Sequence, residues 1–371
     1  MALPFLALYL TRSLGVSAAR AGIVLAAYGV GALVTAPLSG RLADRVGPRR
    51  VMIVSLILAG AFVPFFPLIR DFRALVALTI AWAAVSEAFR PASLAILTEM
   101  VAPAQRKSAF ALNRLAVNLG MSVGPAVGGL LATLSYRALF AVDGVTSIAA
   151  GIVLATTGLR ASGAATPGPG ASAPSSAPAP RSPASGVLAD RHFLFFLLAM
   201  IPVLLVFFQH ASSMPLFLVR DLRLSESAYG LLFTVNTVLI ILVEVPLNGA
   251  MAEWSHARTL ALGSFLSAVG FGAMAFAGNF IAVAATVVIW TFGEMMVFPA
   301  SAAFVADAAP TDRRGQYMGL YQMTFSLAFT VGPWLGTIAL DRLGARVLWG
   351  IAFAVGCVST AMMWRVRARP S

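Results

Sequence analysis

Three acids and one arginine inside long apolar stretches, where a charge is hard to accommodate, stand out as candidates. They are Glu87, Glu244, Glu294 and Arg90. An ionisable residue within a membrane span costs about 2.5–3.5 kcal/mol on insertion scales and is a functional candidate by default. Glu87 and Arg90 are three residues apart, so a helix would put them on one face. Two readings stay open: a mutual ion pair that lowers the cost of both, or a charged spot lining a polar cavity. Glu244 and Glu294 have no basic neighbour in their own stretches. Each is a candidate for binding a proton or a cation, and Glu244 is equally placed to face a neighbouring helix. Gln209 and His210 are adjacent, so only one of them is expected to face a cavity. His210 either titrates there or is a hydrogen-bonded core histidine.

Enzymatic chemistry finds little support. Residues 120–124 fit the hydrolase pattern G-x-S-x-G through Ser122. That pattern works only on a strand-to-helix elbow, and here it sits inside an apolar helical stretch. Cys357 is the single cysteine, and the three histidines (192, 210 and 256) are far apart. No intrachain disulfide, zinc site or cofactor is expected, and the expected energy source is a proton gradient.

The elements that hold these residues follow from hydropathy. Of 371 residues, 59% are hydrophobic and 11% charged, with a mean hydropathy of +0.88. Soluble domains carry roughly 25% charge, so most of this chain belongs in lipid. The net charge of +12 does not indicate nucleic acid, because the arginines are scattered in short loops instead of forming one face. Spans are expected near 20–40, 50–69, 73–100, 108–134, 138–159, 193–219, 227–252, 257–277, 280–306, 315–340 and 345–364. A short apolar segment at residues 1–10 makes about twelve helices, and its brevity suggests a first helix truncated by the assigned start. Residues 161–191 are rich in Ala, Gly, Pro and Ser and read as a flexible linker. The expected organisation is a six-helix bundle at 1–160, a cytoplasmic linker at 161–191 and a second bundle at 192–371. One set of alternate loops carries 15 of the 26 Lys and Arg, and the other carries nine. The linker and the C-terminus belong to the richer, cytoplasmic side of a bacterial-type inner membrane.

An internal repeat divides the chain the same way. Pro91-Ala92-Ser93 recurs as Pro299-Ala300-Ser301, an offset of 208. Gly124-Pro125-x-x-Gly128 recurs at that offset as Gly332-Pro333-x-x-Gly336. Parallel halves of this kind place a substrate path between them near the bilayer midplane. Gly120, Gly124 and Gly128 recur every four residues, with Pro125 and Gly129 beside them, and predict a face where a partner helix packs closely. Residues 40–50 are a charged, glycine-bearing turn between two apolar stretches. Arg41, Arg45, Arg49 and Arg50 surround the single acid Asp44 there.

The turn G-x-L-A-D-R-x-G-x-R-R resembles the loop between the second and third helices of the major facilitator superfamily. Gly40, Asp44, Arg45, Gly47, Arg49 and Arg50 are among the matching positions, and the resemblance implies a cytoplasmic gate. Residues 120–129 resemble the antiporter motif of the drug:proton branch, although the upstream glycine of that motif falls at Ala111. The resemblance implies an all-α membrane protein of two pseudo-two-fold-related bundles, a monomer that carries a small molecule through the lipid bilayer. The implied activity is proton-coupled efflux of small amphipathic compounds by alternating access. A metabolite carrier of the same fold and a non-transporting scaffold or sensor are the rival readings.

Overall fold

The computed structural model describes residues 1–100, 106–157, 187–310 and 314–366. The predicted linker falls outside the described residues apart from 187–191. The first half comprises α1 (Leu6–Arg12), α2 (Ala18–Val46), α3 (Pro48–Phe62), α4 (Phe72–Ser86), α5 (Phe89–Met100), α6 (Arg106–Leu134) and α7 (Tyr136–Thr156). The second comprises α8 (Arg191–Phe207), α9 (Ser213–Leu216), α10 (Glu226–Ala250), α11 (His256–Ala273), α12 (Phe280–Ala308), α13 (Arg314–Leu343) and α14 (Ala345–Met363). Among the described residues, 11 segments are long and apolar enough to cross a bilayer. The short α1 is buried from Leu6 to Leu10. Helix starts are set by polar caps: Asp71, Ser135, Asp190, Ser225, Ser255 and Asn279 each accept a backbone N–H of the first turn. Each such cap is worth about 1 kcal/mol.

The two halves repeat one packing scheme. In the first, α2 packs on α4 and α3 on α7; in the second, α10 packs on α12 and α11 on α14. Between the halves, α2 packs on α13 and α6 on α10. A Cβ on Gly22 would lie 3.1 Å from the Pro333 carbonyl oxygen, and one on Gly230 would collide with the Pro125 carbonyl oxygen. Glycines 22 and 230, like prolines 125 and 333, differ by the repeat offset of 208. The two contacts therefore exchange under a pseudo-two-fold axis, and the fold is two six-helix bundles meeting across that axis.

Four expectations about helix ends change. Residues 40–50 are not a turn: α2 continues to Val46, and only Gly47 leaves the helix. Gly47 takes φ +90°, open to glycine without a Cβ penalty, and Pro48 starts α3 with a ring already set for the first helical turn. The span predicted at 50–69 is helical only to Phe62 and tightens into a 3₁₀ stretch, Val63–Leu68, which contains Pro64 and Pro67. The span predicted at 73–100 breaks at Glu87–Ala88 into α4 and α5. Pro91 cannot donate to the Glu87 carbonyl and its ring crowds it. The span predicted at 193–219 gives way after Phe207 to a 3₁₀ turn (Phe208–Ala211), α9 and a π-helical turn (Phe217–Asp221).

Candidate functional site

In each half an intramembrane acid takes a hydrogen bond from one of two repeat-related helices, α2 in the first half and α10 in the second. In the second half, Asn236 on α10 donates through Nδ2 to Glu294 Oε2 on α12 at 2.8 Å and to Thr291 Oγ1 at 2.9 Å. In the first half, Tyr28 on α2 donates its hydroxyl to Glu87 Oε1 at 2.8 Å. Residues 28 and 236 are separated by 208 positions, and Glu87 and Glu294 by 207. The donors are therefore repeat mates, whereas Glu294 sits one position short of the repeat mate of Glu87, and each half builds its donor–acid pair with a different donor. Sequence reasoning named both acids and missed both donors, although the repeat offset links them.

The predicted Glu87–Arg90 pair is loose. Arg90 Nε stands 4.0 Å from Glu87 Oε2, and its side chain is 78% exposed. Tyr28 is the close partner of Glu87. The Tyr28 ring packs on Trp82 at 5.3 Å and, across the interface, on Phe329 at 5.8 Å; Phe329 packs on Phe208 at 5.0 Å. An aromatic layer therefore separates the two acids.

Gln209 and His210 fall at the 3₁₀ turn that follows α8, and of the two, among the described residues, only His210 lines a cavity. Gln209 donates to the Leu205 and Gly332 carbonyls at 2.9 Å each and accepts from Ser213 at 2.7 Å. It ties the break to α13, and Gly336 leaves room for its amide. His210 Nδ1 lies 2.7 Å from the Phe207 carbonyl oxygen. His210 and Asn236 line a small cavity of about 10 Å³ with Met214, Leu232, Phe233 and Trp290, about the room of one water. Glu244 is buried on α10, and its carbonyl accepts from Asn248 at 2.8 Å.

The glycine stripe of α6 does not form one docking face. Gly120 meets open space, while Gly124 and Gly128 meet side chains of the N-terminal segment, Met1 and Phe5. The close helix–helix approach runs through Gly129, where a Cβ would stand 2.6 Å from the Glu226 carbonyl oxygen of α10. Pro125 takes part through its carbonyl, which faces Gly230. The stripe pattern found the right helix, but α10 approaches it at the adjoining positions.

These approaches share one end of the molecule. Glu226, 7% exposed, accepts from Arg12 at 2.5 Å and from Tyr136 at 3.0 Å, so two residues of the first half clasp one acid of the second. At the opposite end, which carries Gly47, Gly249 and Gly319 have nothing within 4 Å of an added Cβ. Among the described residues, the halves are closed at the Glu226 end and lack equivalent close approaches at the Gly47 end.

The sequence profile of the Major Facilitator Superfamily matches residues 1–219 and 210–371. The chain belongs to this superfamily. Members are transporters, not enzymes. An uncharacterised MFS-type transporter of Bacillus subtilis, YqjV, is 26% identical over 93% of this chain and 83% of its own length. A Na(+), Li(+), K(+)/H(+) antiporter of Planococcus maritimus is 24% identical, covering 92% of this chain and 84% of its own. The quinolone resistance protein NorA of Staphylococcus aureus is 25% identical over 41% of this chain and 39% of its own. Among solved structures, a POT family transporter in complex with a thioalcohol-conjugated peptide superposes with a TM-score of 0.77 at 15% identity, covering 96% of this chain and 90% of that one. The protein is thus a multi-pass MFS transporter with bacterial relatives, which takes a small-molecule substrate in the membrane.

Of the residues implied as the superfamily's gate element, Gly40 and Asp44 lie within α2, but their side-chain surroundings are outside the described residues. Arg45 and Arg50 are exposed. Arg49 reaches the end of α7, where its Nη2 donates to the carbonyls of Leu154, Ala155 and Thr157 at 2.7–3.0 Å. A cation is favourable there, because the last carbonyls of a helix lack intrahelical partners.

Proposed function

We propose that this transporter exports small amphipathic compounds in exchange for protons, with Glu294 as the coupling acid. The observation that carries the reading is the Asn236–Glu294–Thr291 cluster, a charged and hydrogen-bonded site inside an otherwise apolar bundle. An acid that alternates between protein and water as the halves rock can load and release a proton. Glu87, Arg90 and Tyr28 form the matching polar wall in the first half, with His210 and Glu244 nearby in the second. The domains are 1–160, the linker 161–191 and 192–371. The Gly47 end faces the cytoplasm by the positive-inside rule, so the closed Glu226 end faces outward. Asp44, Arg45, Arg49 and Arg50 gate the cytoplasmic end, and the protein works as a monomer. The name of NorA, matched over part of this chain, supports a drug-like cargo.

A second reading is monovalent cation/proton antiport. It is favoured by the antiporter of Planococcus maritimus, matched over 92% of this chain, and by the two oxygen-bearing side chains, Glu294 and Thr291, held by one amide. A metabolite carrier or a non-transporting sensor has no such observation behind it. Proteoliposomes with an imposed pH gradient separate these readings. Proton-driven movement of ethidium, with no response to Na⁺ or K⁺, is the expected result. Proton release on adding Na⁺ or K⁺, without ethidium movement, replaces the first reading with the second. No flux of either kind, with folded protein, overturns both.

A further inference from the structure

The first half carries a cavity on its flank that the transport path does not use. It has a volume of about 820 Å³ and is lined by α2, α3 and residues 84–88. Ligand pockets run from about 300 to 1,000 Å³, so this one has room for a sizeable occupant. Because α2 and α3 meet at Gly47, the two helices form a V, and α4 closes its floor. The walls are apolar: Leu42, Val46, Val54 and Leu58 line it and are 41–53% exposed. Among the described residues, its lining belongs to the first half.

Arg45 and Arg50 line the same cavity next to the apex at Gly47. They contrast with Arg49, whose guanidinium is spent on the carbonyls that end α7. Among the described residues, neither Arg45 nor Arg50 has a hydrogen bond or ion pair. The corresponding corner of the second half is built differently. There Trp254 stands at the position matching Arg45 in the repeat, and Arg258 lies 3.9 Å over its ring. That corner fills itself and occupies its own cation; the first-half corner leaves a space and two free guanidinium groups.

We propose that this groove is a binding site for an anionic phospholipid from the leaflet on the Gly47 side. The acyl chains lie between α2 and α3, and Arg45 and Arg50 hold the headgroup phosphate. Guanidinium groups pair with phosphate through two parallel N–H donors, which a neutral side chain cannot reproduce. A zwitterionic lipid of the same chains fills the groove equally but brings a cation with its phosphate, so the preference resides in the two arginines.

The test is native mass spectrometry of the detergent-purified full chain, titrated with dioleoyl phosphatidylglycerol or dioleoyl phosphatidylcholine. The wild type is expected to retain the anionic lipid preferentially. Arg45→Gln and Arg50→Gln should each weaken that retention about fivefold, the effect of one basic residue at an anionic surface. Arg365→Gln, which removes a cation outside the groove, should leave it unchanged. Val54→Trp keeps both arginines and fills the groove, so it should lower retention of both lipids, and it answers the question should the arginine variants fail to fold. Equal retention of the two lipids by the wild type overturns the proposal, as does a loss in Arg365→Gln matching that in Arg45→Gln. Displacement of the lipid by millimolar glycerol phosphate also overturns it, because the headgroup alone would then suffice.

Discussion

The helices that carry the two acids descend from one repeat unit, yet they differ in continuity. Pro91 and Pro299 are equivalent, and each denies a hydrogen bond to the carbonyl four residues earlier. In the second half that carbonyl belongs to Met295, and Asn248 Nδ2 of α10 reaches it at 3.2 Å. With the freed group satisfied by a neighbouring helix, α12 runs unbroken from Phe280 to Ala308. In the first half the carbonyl belongs to Glu87. At the offset of 209 that pairs Arg45 with Trp254, the position matching Asn248 is Ser39, a shorter side chain with a hydroxyl in place of the amide, and the helix stops at Ser86. Glu294 therefore projects from a continuous, packed helix, whereas Glu87 projects from a break, with 26% of its side chain exposed. The proline-bearing span that stays whole is the one whose freed carbonyl meets an amide from the neighbouring helix. The acid on the intact helix is the better positioned for a coupled step.

The sharpest way to break this comparison is to neutralise each acid. Glu294→Gln is expected to abolish the dependence of flux on the pH gradient, while Glu87→Gln keeps that dependence and lowers the rate. Flux in proteoliposomes at a series of imposed gradients measures both. Equal losses would mean that the halves share the coupling role, and a retained pH profile in Glu294→Gln would remove it from that role.

A smaller effect is expected from the donors. Asn236→Ala leaves a half-buried carboxylate without its amide, and a hydrogen bond to a charged group is worth about 1.5–3 kcal/mol. Tyr28→Phe removes a bond of the same charged kind, but from an acid at a helix break with 26% of its side chain exposed, where water replaces part of it, so the cost should fall at or below the low end of that range. Thermal unfolding in detergent should rank the pair in that order. A larger shift for Tyr28→Phe would show the first-half acid to be the more tightly held. Asn248→Ala belongs to the same series: amide exchange around residues 295–299 should rise towards the rate at residues 87–91.

Much of this was legible in the sequence. Hydropathy located the spans because the bilayer imposes a length of about 20 apolar residues on each. The repeat offset predicted the two halves, because duplicated units bury the same faces. What escaped was decided by side chains that satisfy backbone groups far away in the chain. Pro91 and Pro299 look alike in the sequence, but the carbonyl that Pro299 frees is met by Asn248 of α10, a contact between residues 47 positions apart. Gln209 looked like a cavity residue because it is polar within an apolar run, but its amide is used to tie the α8 break to α13. The clasp of Arg12 and Tyr136 on Glu226 joins residues up to 214 positions apart, and no local pattern signals that.

The smallest effect is expected at Arg90, and it decides between the two sequence readings of the Glu87–Arg90 pair. At 4.0 Å from the carboxylate and with most of its side chain exposed, Arg90 forms an ion pair of the kind worth about 0–1 kcal/mol. Arg90→Gln should therefore leave the unfolding temperature nearly unchanged, in contrast to Tyr28→Phe, which removes the close partner of the same acid. Stability and flux together sharpen the result. If Arg90 only balances Glu87, neither quantity moves, and the first-half acid relies on Tyr28 alone. If Arg90 lines the path, flux falls while stability holds, and the effect should depend on the charge of the cargo: weaker transport of anions, unchanged or faster transport of cations such as ethidium. A loss of stability comparable to that of Tyr28→Phe would mean that the arginine is closer to the carboxylate than the geometry places it, and the contrast drawn between the two acids would lose its first term.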